Sequence, residues 1–505
     1  MNEERHEDLF DNTFDDILPD GEDVRKRNVA YYYHKDVGNY HYGAVHPMKP
    51  QRLAACNDLV AAYQMPKYMH VVESPILTAE DIKVFHNDDY VEFLERITPR
   101  LATKCSDEKF KQFNIGDDCP IFAGMFDYCR IYSGGSVEGA RRLNHHVNDI
   151  VINWPGGLHH AKKGQASGFC YVNDIVLGIL ELLKYHKRVL YIDIDIHHGD
   201  GVQEAFNLTD RVMTVSFHRF GNYFPGTGSI QDKGFGAGRY FSVNVPLHAG
   251  IQDTEYLDLF TRVITCVNET YDPDAIVLQC GSDSLSEDRL GQFSLTFDGH
   301  ARAVKFVKSL NKPLMVLGGG GYTLRNVARC WAVETGVVLG LRMQNEIPED
   351  ALYYQYFRPS CLLRPNMASK FENMNSPSYL QSVLEETLTS VRRTQGAPSV
   401  QMQPLIGVRL EELDRIEGNH QNDSLDFASW ETATKYGHPD FPAESELTEQ
   451  SAKSSHDIEL ESRGLDPLWS KYSGVRTIDS LNVPPRIRPI FSGPEGNLEH
   501  DRKNS

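Results

Sequence analysis

The segment RVLYIDIDIHHGDG, at residues 188–201, limits the possible fold and chemistry of this chain more than any other stretch. Its first half is a continuous apolar run, which is typical of a strand buried on both faces of a sheet. Asp193, Asp195 and His197 then occupy alternate positions, so they project to the same side if the extended conformation continues. Two buried carboxylates and an imidazole need partners. Acids that cap a following helix are the alternative, but this motif favours metal binding.

Apolar runs alternate with helix-like patterns along most of the chain. Runs typical of strands occupy residues 29–33, 149–154, 188–195, 212–217, 275–280 and 314–317. Patterns typical of helices occupy residues 52–63, 78–96, 174–185 and 254–267. This alternation predicts an α/β fold with a mostly parallel central sheet and helices on both faces.

Polar side chains follow four of the predicted strands, at the point where each strand ends. In such folds the carboxyl ends of the strands meet at one edge of the sheet, where ligands bind. The residues expected to converge there are His159, His160, Asp195, His197, Asp283 and Tyr322. Each one alone has a commoner explanation, such as a helix cap or a hydrogen-bonded loop histidine. Their convergence is what indicates a functional site.

Asp195, His197 and Asp283 together offer two oxygen ligands and one nitrogen ligand. Three protein ligands with an open position are typical of a catalytic zinc site rather than a structural one. Zinc in such a site polarises a substrate carbonyl and lowers the pKa of a water molecule. The ligand types favour zinc, while iron and cobalt remain alternatives for an oxygen-rich site.

The adjacent His159 and His160 are candidates for general acid–base catalysis. Asp193 and Asp200, in the metal motif, are the carboxylates best placed to orient them. Tyr322 follows a run of four glycines, which lets the backbone pass close to the site. Its hydroxyl is a candidate donor to a developing oxyanion. A phosphate-binding loop is the alternative for a glycine run, but the Lys-Ser/Thr pair of that loop does not follow.

Charge and composition narrow the class of protein. The formal net charge of -19 argues against direct nucleic-acid binding and suits a basic partner or substrate. The nine cysteines form no C-x-x-C pair, so we expect reduced thiols. No apolar run approaches a membrane span, and the sequence starts without a signal-peptide-like stretch, which predicts an intracellular protein. The polar residues 1–28 and 411–505 are predicted to be mostly disordered extensions of a catalytic domain at residues 29–410.

A series of long motifs resembles the class I branch of the zinc-dependent histone deacetylase family. In order, they are HYGAVHPMKPQR, GDDCP, WPGGLHHAKKGQASGFCYVNDI, YIDIDIHHGDGVQEAF, FPGTG, QCGSDSLSEDRLG and GGGGYTLRNVARCW. The resemblance implies an arginase/deacetylase-like fold and hydrolysis of N6-acetyl-lysine in histone tails to lysine and acetate. For the site it implies zinc ligands at Asp195, His197 and Asp283, an acid–base pair at His159 and His160 supported by Asp193 and Asp200, and a carbonyl-polarising Tyr322.

The same resemblance implies further binding positions. A narrow tube for the acyl-lysine side chain would be lined by Gly168, Phe169, Phe224 and Leu290, with Asp118 at its rim accepting peptide N–H groups. Core packing is the alternative for the two phenylalanines. One potassium site would match Asp193, Asp195, His197, Ser216 and Phe217, and a second would match Phe206, Thr209, Val212 and Phe241. An inositol phosphate would be bound by His41, Lys49, Arg289 and Arg325.

Two positions depart from the family pattern: Val45 replaces a glycine, and Glu287 stands where a small residue is common. Val45 would hinder close approach of the backbone to the inositol phosphate, and the negative charge of Glu287 near Arg289 would weaken that site or alter the rim. The resemblance also implies acetylated histone tails and corepressor-complex subunits as partners, and a nuclear location with a cytoplasmic pool left open. Two alternatives remain: a corepressor scaffold with little turnover, and a deacetylase of small amines. The intact catalytic set argues against the scaffold, and the rim acid Asp118 favours a peptide over a small amine.

Overall fold

The structure is a computed structural model in which residues 28–394 are described. A single sheet of eight parallel strands forms its centre, in the order β2-β1-β3-β8-β7-β4-β5-β6. The strands are β1 (Val29–Tyr33), β2 (His70–Glu73), β3 (Ile150–Asn153), β4 (Val189–Asp193), β5 (Val212–Arg219), β6 (Ser242–Leu247), β7 (Ala275–Gln279) and β8 (Leu314–Leu317). The all-parallel sheet confirms the predicted α/β fold.

Twelve α-helices connect and cover the strands within residues 28–394. They are α1 (Gln51–Ala62), α2 (Ala79–Lys83), α3 (Asp88–Arg96), α4 (Pro99–Ala102), α5 (Asp107–Phe113), α6 (Met125–Asn144), α7 (Asp174–Leu182), α8 (Asp200–Phe206), α9 (Asp253–Tyr271), α10 (Phe297–Ser309), α11 (Leu324–Leu339) and α12 (Pro377–Val391). No helix in this range combines the length and the apolar character needed to span a membrane.

The core lies on both faces of the sheet. One face packs alternate strand residues such as Tyr191, Val277 and Met315 against Ile175 and Ile179 of α7. The intervening strand residues are buried as well, since every residue of β3, β4, β7 and β8 is buried. A strand that is covered on both faces has a continuous apolar sequence, and such runs were the basis on which these central strands were predicted.

Several boundaries differ from the sequence predictions. The helix predicted at residues 78–96 is two helices, α2 and α3, and the first begins at a capping box formed by Thr78 and Asp81. The edge strands β2 and β6 and the helix α12 were not predicted. β6 contains Asn244 and Pro246, and proline is tolerated in a strand at the edge of a sheet. All nine cysteines are free, as expected.

The strand predicted at residues 188–195 ends at Asp193, so Asp195 and His197 do not project from an extended strand as the pattern suggested. Side-chain acceptors explain the end of the strand. The Asp193 carboxylate accepts the Asp195 N–H at 3.1 Å, and the Asp195 carboxylate accepts the His197 N–H at 3.0 Å. Such local hydrogen bonds compete with the ladder of a sheet.

The predicted extensions lie outside the described residues, apart from Asn28. The boundary at residue 410 lies outside them too, and stays a prediction.

Candidate metal centre and active site

Asp195, His197 and Asp283 come together at the carboxyl edge of the sheet. The first two lie in the segment after β4, and Asp283 lies in a 3₁₀ turn, Ser282–Ser284, after β7. Their ligand atoms are all within 4.8 Å of one another, and all three side chains are buried. This is the convergence that the strand-end pattern predicted.

The contacts among these side chains fit a cation. His197 Nδ1 lies 3.0 Å from both Asp195 Oδ1 and Asp283 Oδ2. A ring nitrogen carries at most one hydrogen, so it cannot satisfy two carboxylates. Burial, together with the negative charge of Asp195, raises the pKa of Asp283 to about 7. In the described part of the chain no hydrogen-bond partner satisfies the buried Asp283 Oδ2. Two carboxylates and an imidazole are therefore a suitable donor set for Zn²⁺.

The outer oxygens of the two carboxylates are held by groups that orient them. Asp195 Oδ2 accepts hydrogen bonds from Gly320 N at 2.8 Å and from Gln279 Nε2 at 2.9 Å. Asp283 Oδ1 accepts one from Ile196 N at 3.0 Å. Such partners fix the orientation of metal ligands. Gln279 was missed in the sequence, where its one signal is a polar residue ending an otherwise apolar strand.

Gly320 presses directly against the candidate ligands. A Cβ atom added there would fall on Asp283 Oδ2, far inside contact distance. We expect Gly320→Ala to lower the affinity for Zn²⁺ or Co²⁺ by about 10 to 100-fold, because the carboxylate must move. Metal titration of the purified protein measures the change. Gly178→Ala in α7 is the matched control, because a Cβ there meets its neighbours at ordinary distances of 3.4 Å or more. Equal affinities of the two variants would contradict the prediction.

His159 and His160 form a facing pair, and each is oriented by its own carboxylate. His159 Nδ1 lies 2.8 Å from Asp193 Oδ2, and His160 Nδ1 lies 2.8 Å from Asp200 Oδ1. The two Nε2 atoms are 3.0 Å apart. Each Nδ1 therefore carries its hydrogen towards a carboxylate, and the Nε2 atoms are left for proton transfer.

The pair has two different proton affinities. Burial lowers the pKa of His159, but the carboxylates of Asp193 and Asp195 outweigh it and raise the value to about 9. Burial and the neighbouring His159 lower the pKa of His160 to about 3, against the opposing effect of Asp200. In this arrangement His159 holds a proton at neutral pH, and His160 is the neutral member of the pair.

Two further residues support the pair and were missed in the sequence. Tyr191 donates its hydroxyl to Asp193 Oδ2 at 2.6 Å. Lys162 Nζ lies 2.6 Å from Asp200 Oδ2. Tyr191 lies two positions before Asp193 in β4, so the alternation of the strand puts both on one face, which is the signal that could have revealed it.

Tyr322 is buried beside the candidate metal ligands, at 5% exposure. Its backbone N–H donates to Asp288 Oδ2 at 2.7 Å, so this buried acid fixes the start of the tyrosine segment. The preceding Gly321 has φ +131°, a conformation that residues with a side chain rarely adopt. Burial and the charges of Asp283 and Asp195 raise the pKa of the Tyr322 hydroxyl, which keeps it a proton donor at neutral pH.

The predicted tube residues surround this centre. The Phe169 ring packs edge-on against Tyr322 with centroids 5.6 Å apart, and the Phe224 ring packs edge-on against His160 at 4.8 Å. A Cβ on Gly168 would collide with His160. Tyr223, which the sequence analysis missed, stacks on His197 at 5.2 Å and donates its hydroxyl to the carbonyl of Leu290 at 2.6 Å.

Asp118 accepts a hydrogen bond from Gly168 N at 3.0 Å through Oδ2. Its Oδ1 is buried, and no group in residues 28–394 donates a hydrogen bond to it. The acid thus fixes the glycine of the tube and retains an acceptor for another N–H group.

The predicted potassium residues lie near β4, β5 and β6. Asp193 is paired with Ser216 across β4 and β5, and Phe217 is the next residue of β5. In the second set Phe206 ends α8, Val212 begins β5, and Phe241 precedes β6. Thr209 N donates to the Phe206 carbonyl at 3.1 Å.

The four residues predicted to bind an inositol phosphate differ in how exposed they are. Lys49 is buried and its Nζ donates to the carbonyls of Gly43 and Ala44, at 2.9 and 2.8 Å. His41 and Arg325 are half-buried, and Arg289 is exposed.

The two departures from the family pattern have different surroundings. Val45 is 71% exposed. Glu287 has φ +66°, a left-handed backbone conformation that glycine adopts with less strain than residues with a side chain. Its carboxylate accepts a hydrogen bond from the Ala368 N–H at 3.1 Å.

The fold and the site together define a class of protein. A parallel α/β sheet carries, at the carboxyl ends of its strands, a metal-ligand set, an oriented histidine pair and a buried tyrosine hydroxyl. That combination is typical of a metal-dependent hydrolase.

Comparison with known proteins identifies the family. Residues 46–338 match the histone deacetylase domain. The chain is 70% identical over 413 residues to putative histone deacetylase 2 of Caenorhabditis elegans. This alignment covers 82% of this chain and 81% of the relative. It is 56% identical to histone deacetylase B of Dictyostelium discoideum, in an alignment that covers 79% of this chain and 94% of the relative. It is 53% identical to histone deacetylase 1 of Bos taurus, where the alignment covers 75% of this chain and 78% of the relative. The chain belongs to the histone deacetylase family, in its class I branch, and is a zinc-dependent deacetylase of histones.

Proposed function

We propose that Asp195, His197 and Asp283 hold the catalytic zinc ion of this histone deacetylase, and that its substrate is N6-acetyl-lysine in histone tails. Two observations carry this assignment: the buried Asp283 Oδ2 has no hydrogen-bond partner within residues 28–394, and two carboxylates share His197 Nδ1. When bound, zinc supplies Lewis acidity to the acetyl carbonyl and to a water molecule.

The histidine pair moves the protons. His160, which is neutral and lies against Phe224, accepts the proton of the attacking water through its Nε2. Asp200 and Lys162 hold its ring in place. His159 stays protonated beside Asp193, and its charge stabilises the negative charge that develops as water attacks. His160 then returns the proton to the departing lysine amine, so lysine and acetate leave as products.

Tyr322 and the aromatic walls position the acetyl group. The Tyr322 hydroxyl donates to the carbonyl oxygen as it becomes negative. Phe169, Phe224 and Gly168 line the approach, and an acylated lysine, which is neutral and apolar along its stem, suits such walls. Leu290 lies at the mouth, where Tyr223 anchors its carbonyl.

Asp118 is proposed to hold the substrate backbone once its Oδ1, which is buried and accepts no hydrogen bond within residues 28–394, turns towards the substrate. We expect Asp118→Asn to lower kcat/KM about tenfold for an acetylated histone-tail peptide, because a neutral acceptor replaces a charged one. Asparagine retains an oxygen for Gly168 N. Acetate release measures the change, and an acetyl-lysine derivative without peptide N–H groups is the control substrate, for which both enzymes are expected to be equal. A similar loss on both substrates would assign Asp118 to the tube alone.

Two structural potassium sites and one regulatory inositol phosphate site are proposed from the family resemblance and from residue placement. Potassium ions would bind near Asp193 and Ser216, and near Phe206 and Phe241. An inositol phosphate would bind Arg289 and Arg325, with Lys49 released from its loop carbonyls. Exposed Val45 leaves room for a ligand beside that loop. Binding of inositol hexakisphosphate to the wild-type protein, and its loss in Arg325→Met, would support the inositol phosphate site. Equal binding by the two proteins would contradict it.

We also propose that the protein works in the nucleus within a corepressor complex, as the class I resemblance implies. A role as scaffold alone is disfavoured by the assembled catalytic set, since binding does not require an oriented histidine pair. Localisation of the tagged chain and recovery of its partners would test this proposal.

A further inference from the structure

Behind the metal ligands lies a second polar cluster that the mechanism does not use: Ser284, His300 and Glu334. Ser284 Oγ is 2.6 Å from His300 Nε2, and His300 Nδ1 is 2.9 Å from Glu334 Oε1. All three side chains are at most 1% exposed. Cys330 Sγ adds a longer contact to Glu334 at 3.7 Å. A buried ionisable pair of this kind is costly unless its contacts are satisfied.

The cluster connects the two chain segments that carry the metal ligands. The Ser284 hydroxyl donates to the carbonyl of Ile194 at 3.0 Å. Ile194 immediately precedes Asp195, and Ser284 immediately follows Asp283. His300 belongs to α10, and Glu334 belongs to α11, the helix that begins two residues after Tyr322. One hydroxyl therefore ties both ligand segments to two core helices.

The contacts that run from the Ile194 carbonyl to Glu334 Oε1 can each be given one hydrogen, while the buried Glu334 Oε2 has no hydrogen-bond partner within residues 28–394. The Ser284 hydroxyl hydrogen goes to the Ile194 carbonyl, so His300 Nε2 must donate its own hydrogen to Ser284 Oγ. One further hydrogen lies between His300 Nδ1 and Glu334 Oε1. Removing either the imidazole or the carboxylate breaks the series and leaves a buried group without its partner.

Two other roles fit the cluster less well. The Ser-His-Glu order resembles a nucleophilic triad, but the Ser284 side chain is fully buried and its hydrogen is given to a main-chain carbonyl. His300, Cys330 and Glu334 also lie close enough together to be considered for a metal. However, each ring nitrogen of His300 has one partner, Ser284 or Glu334, whereas His197 Nδ1 in the candidate metal centre lies between two carboxylates that one hydrogen cannot satisfy.

We propose that Ser284, His300 and Glu334 form a positioning relay that sets the separation of Asp195 and Asp283, and thereby the metal affinity of the active site. The proposal rests on the metal site proposed above. These residues are positioning residues, since none of them touches the substrate. Their effect is expected on metal binding and kcat, with KM little changed, because the substrate tube is made by other segments.

The test is a Co²⁺ titration of the metal-depleted full-length protein, followed by the absorption of the bound ion in the visible range. We expect His300→Gln and Glu334→Gln to lower Co²⁺ affinity at least tenfold and to shift the absorption bands. His186→Gln is the matched control, because His186 is also buried but precedes the opposite end of β4. Near-ultraviolet circular dichroism verifies folding. If Glu334→Gln does not fold, Ser284→Ala, which removes only one hydroxyl, carries the same test.

The outcomes separate this proposal from the one on which it rests. Wild-type affinity and an unchanged spectrum in folded His300→Gln and Glu334→Gln would overturn the relay while leaving the metal site intact. Co²⁺ binding that survives in Asp195→Ala would overturn the metal site, and the relay with it. A second equivalent of Co²⁺ that is lost in Cys330→Ala would overturn the relay in favour of a second metal site.

Discussion

Replacing Tyr322 by phenylalanine is expected to lower kcat for an acetylated histone-tail peptide by about 100 to 1000-fold, with KM nearly unchanged. The hydroxyl acts on the carbonyl oxygen only as negative charge develops there, so its loss is felt in the transition state and not in substrate binding. The ring remains against Phe169, which preserves the wall of the tube. Steady-state measurement of acetate release gives both constants.

The matched control for Tyr322→Phe is Tyr271→Phe. Tyr271 is buried too, and its hydroxyl lies 3.4 Å from the Val189 carbonyl at the start of β4, the end of the strand opposite the site. The control variant should keep wild-type kcat. A Tyr322→Phe variant with more than half of the wild-type kcat would show that the hydroxyl does not stabilise the transition state.

Replacing His160 by alanine is expected to lower kcat by about 100 to 10,000-fold, the range typical of a lost general acid–base group. Burial and the neighbouring His159 lower the pKa of His160 and keep it neutral, which is the state that a general base must have before it takes a proton from water. Its Nε2 faces His159, and its ring lies against Phe224. Single-turnover acetate release with excess enzyme isolates the chemical step from product release.

Asp200→Asn is the informative comparison for His160→Ala. It keeps an oxygen for the His160 ring and removes the charge, so we expect a smaller loss than in His160→Ala. Metal content must be equal in all variants. If His160→Ala were as active as wild type while His159→Ala was inactive, the two histidines would have the opposite roles.

The sequence predicted which strand-end residues come together better than it predicted the fold boundaries. The parallel sheet brings strand ends to one edge, so Asp195 and Asp283 could be predicted to meet although 88 positions separate them. The central strands were visible because burial on both faces makes them continuously apolar. The edge strands β2 and β6 were not, since short or polar-containing strands lack that signal.

The supporting residues were mostly invisible in the sequence. Gln279, Asp288 and the Ser284–His300–Glu334 group act through contacts between segments that are distant along the chain. A single polar residue in a helix, such as His300, looks like any other polar residue until the helix is placed. Only the three-dimensional arrangement shows what its side chain contacts.

The end of β4 shows a second limit. Alternation predicted one extended strand that would carry Asp193, Asp195 and His197 on one side. The aspartates instead accept hydrogen bonds from the backbone two residues ahead, the strand ends at Asp193, and the chain bends at residues 195–197. The three residues still lie close together, but through a bend that periodicity does not describe.

The central claim is that hydrolysis depends on a metal ion held by Asp195, His197 and Asp283. Its most direct test is acetate release from an acetylated histone-tail peptide by the full-length protein after chelation and again after return of Zn²⁺, beside Asp195→Ala. We predict loss of activity on chelation, recovery with about one equivalent of Zn²⁺, and no recovery in Asp195→Ala. Full activity of the chelated, metal-free protein, or of Asp195→Ala, would contradict the account.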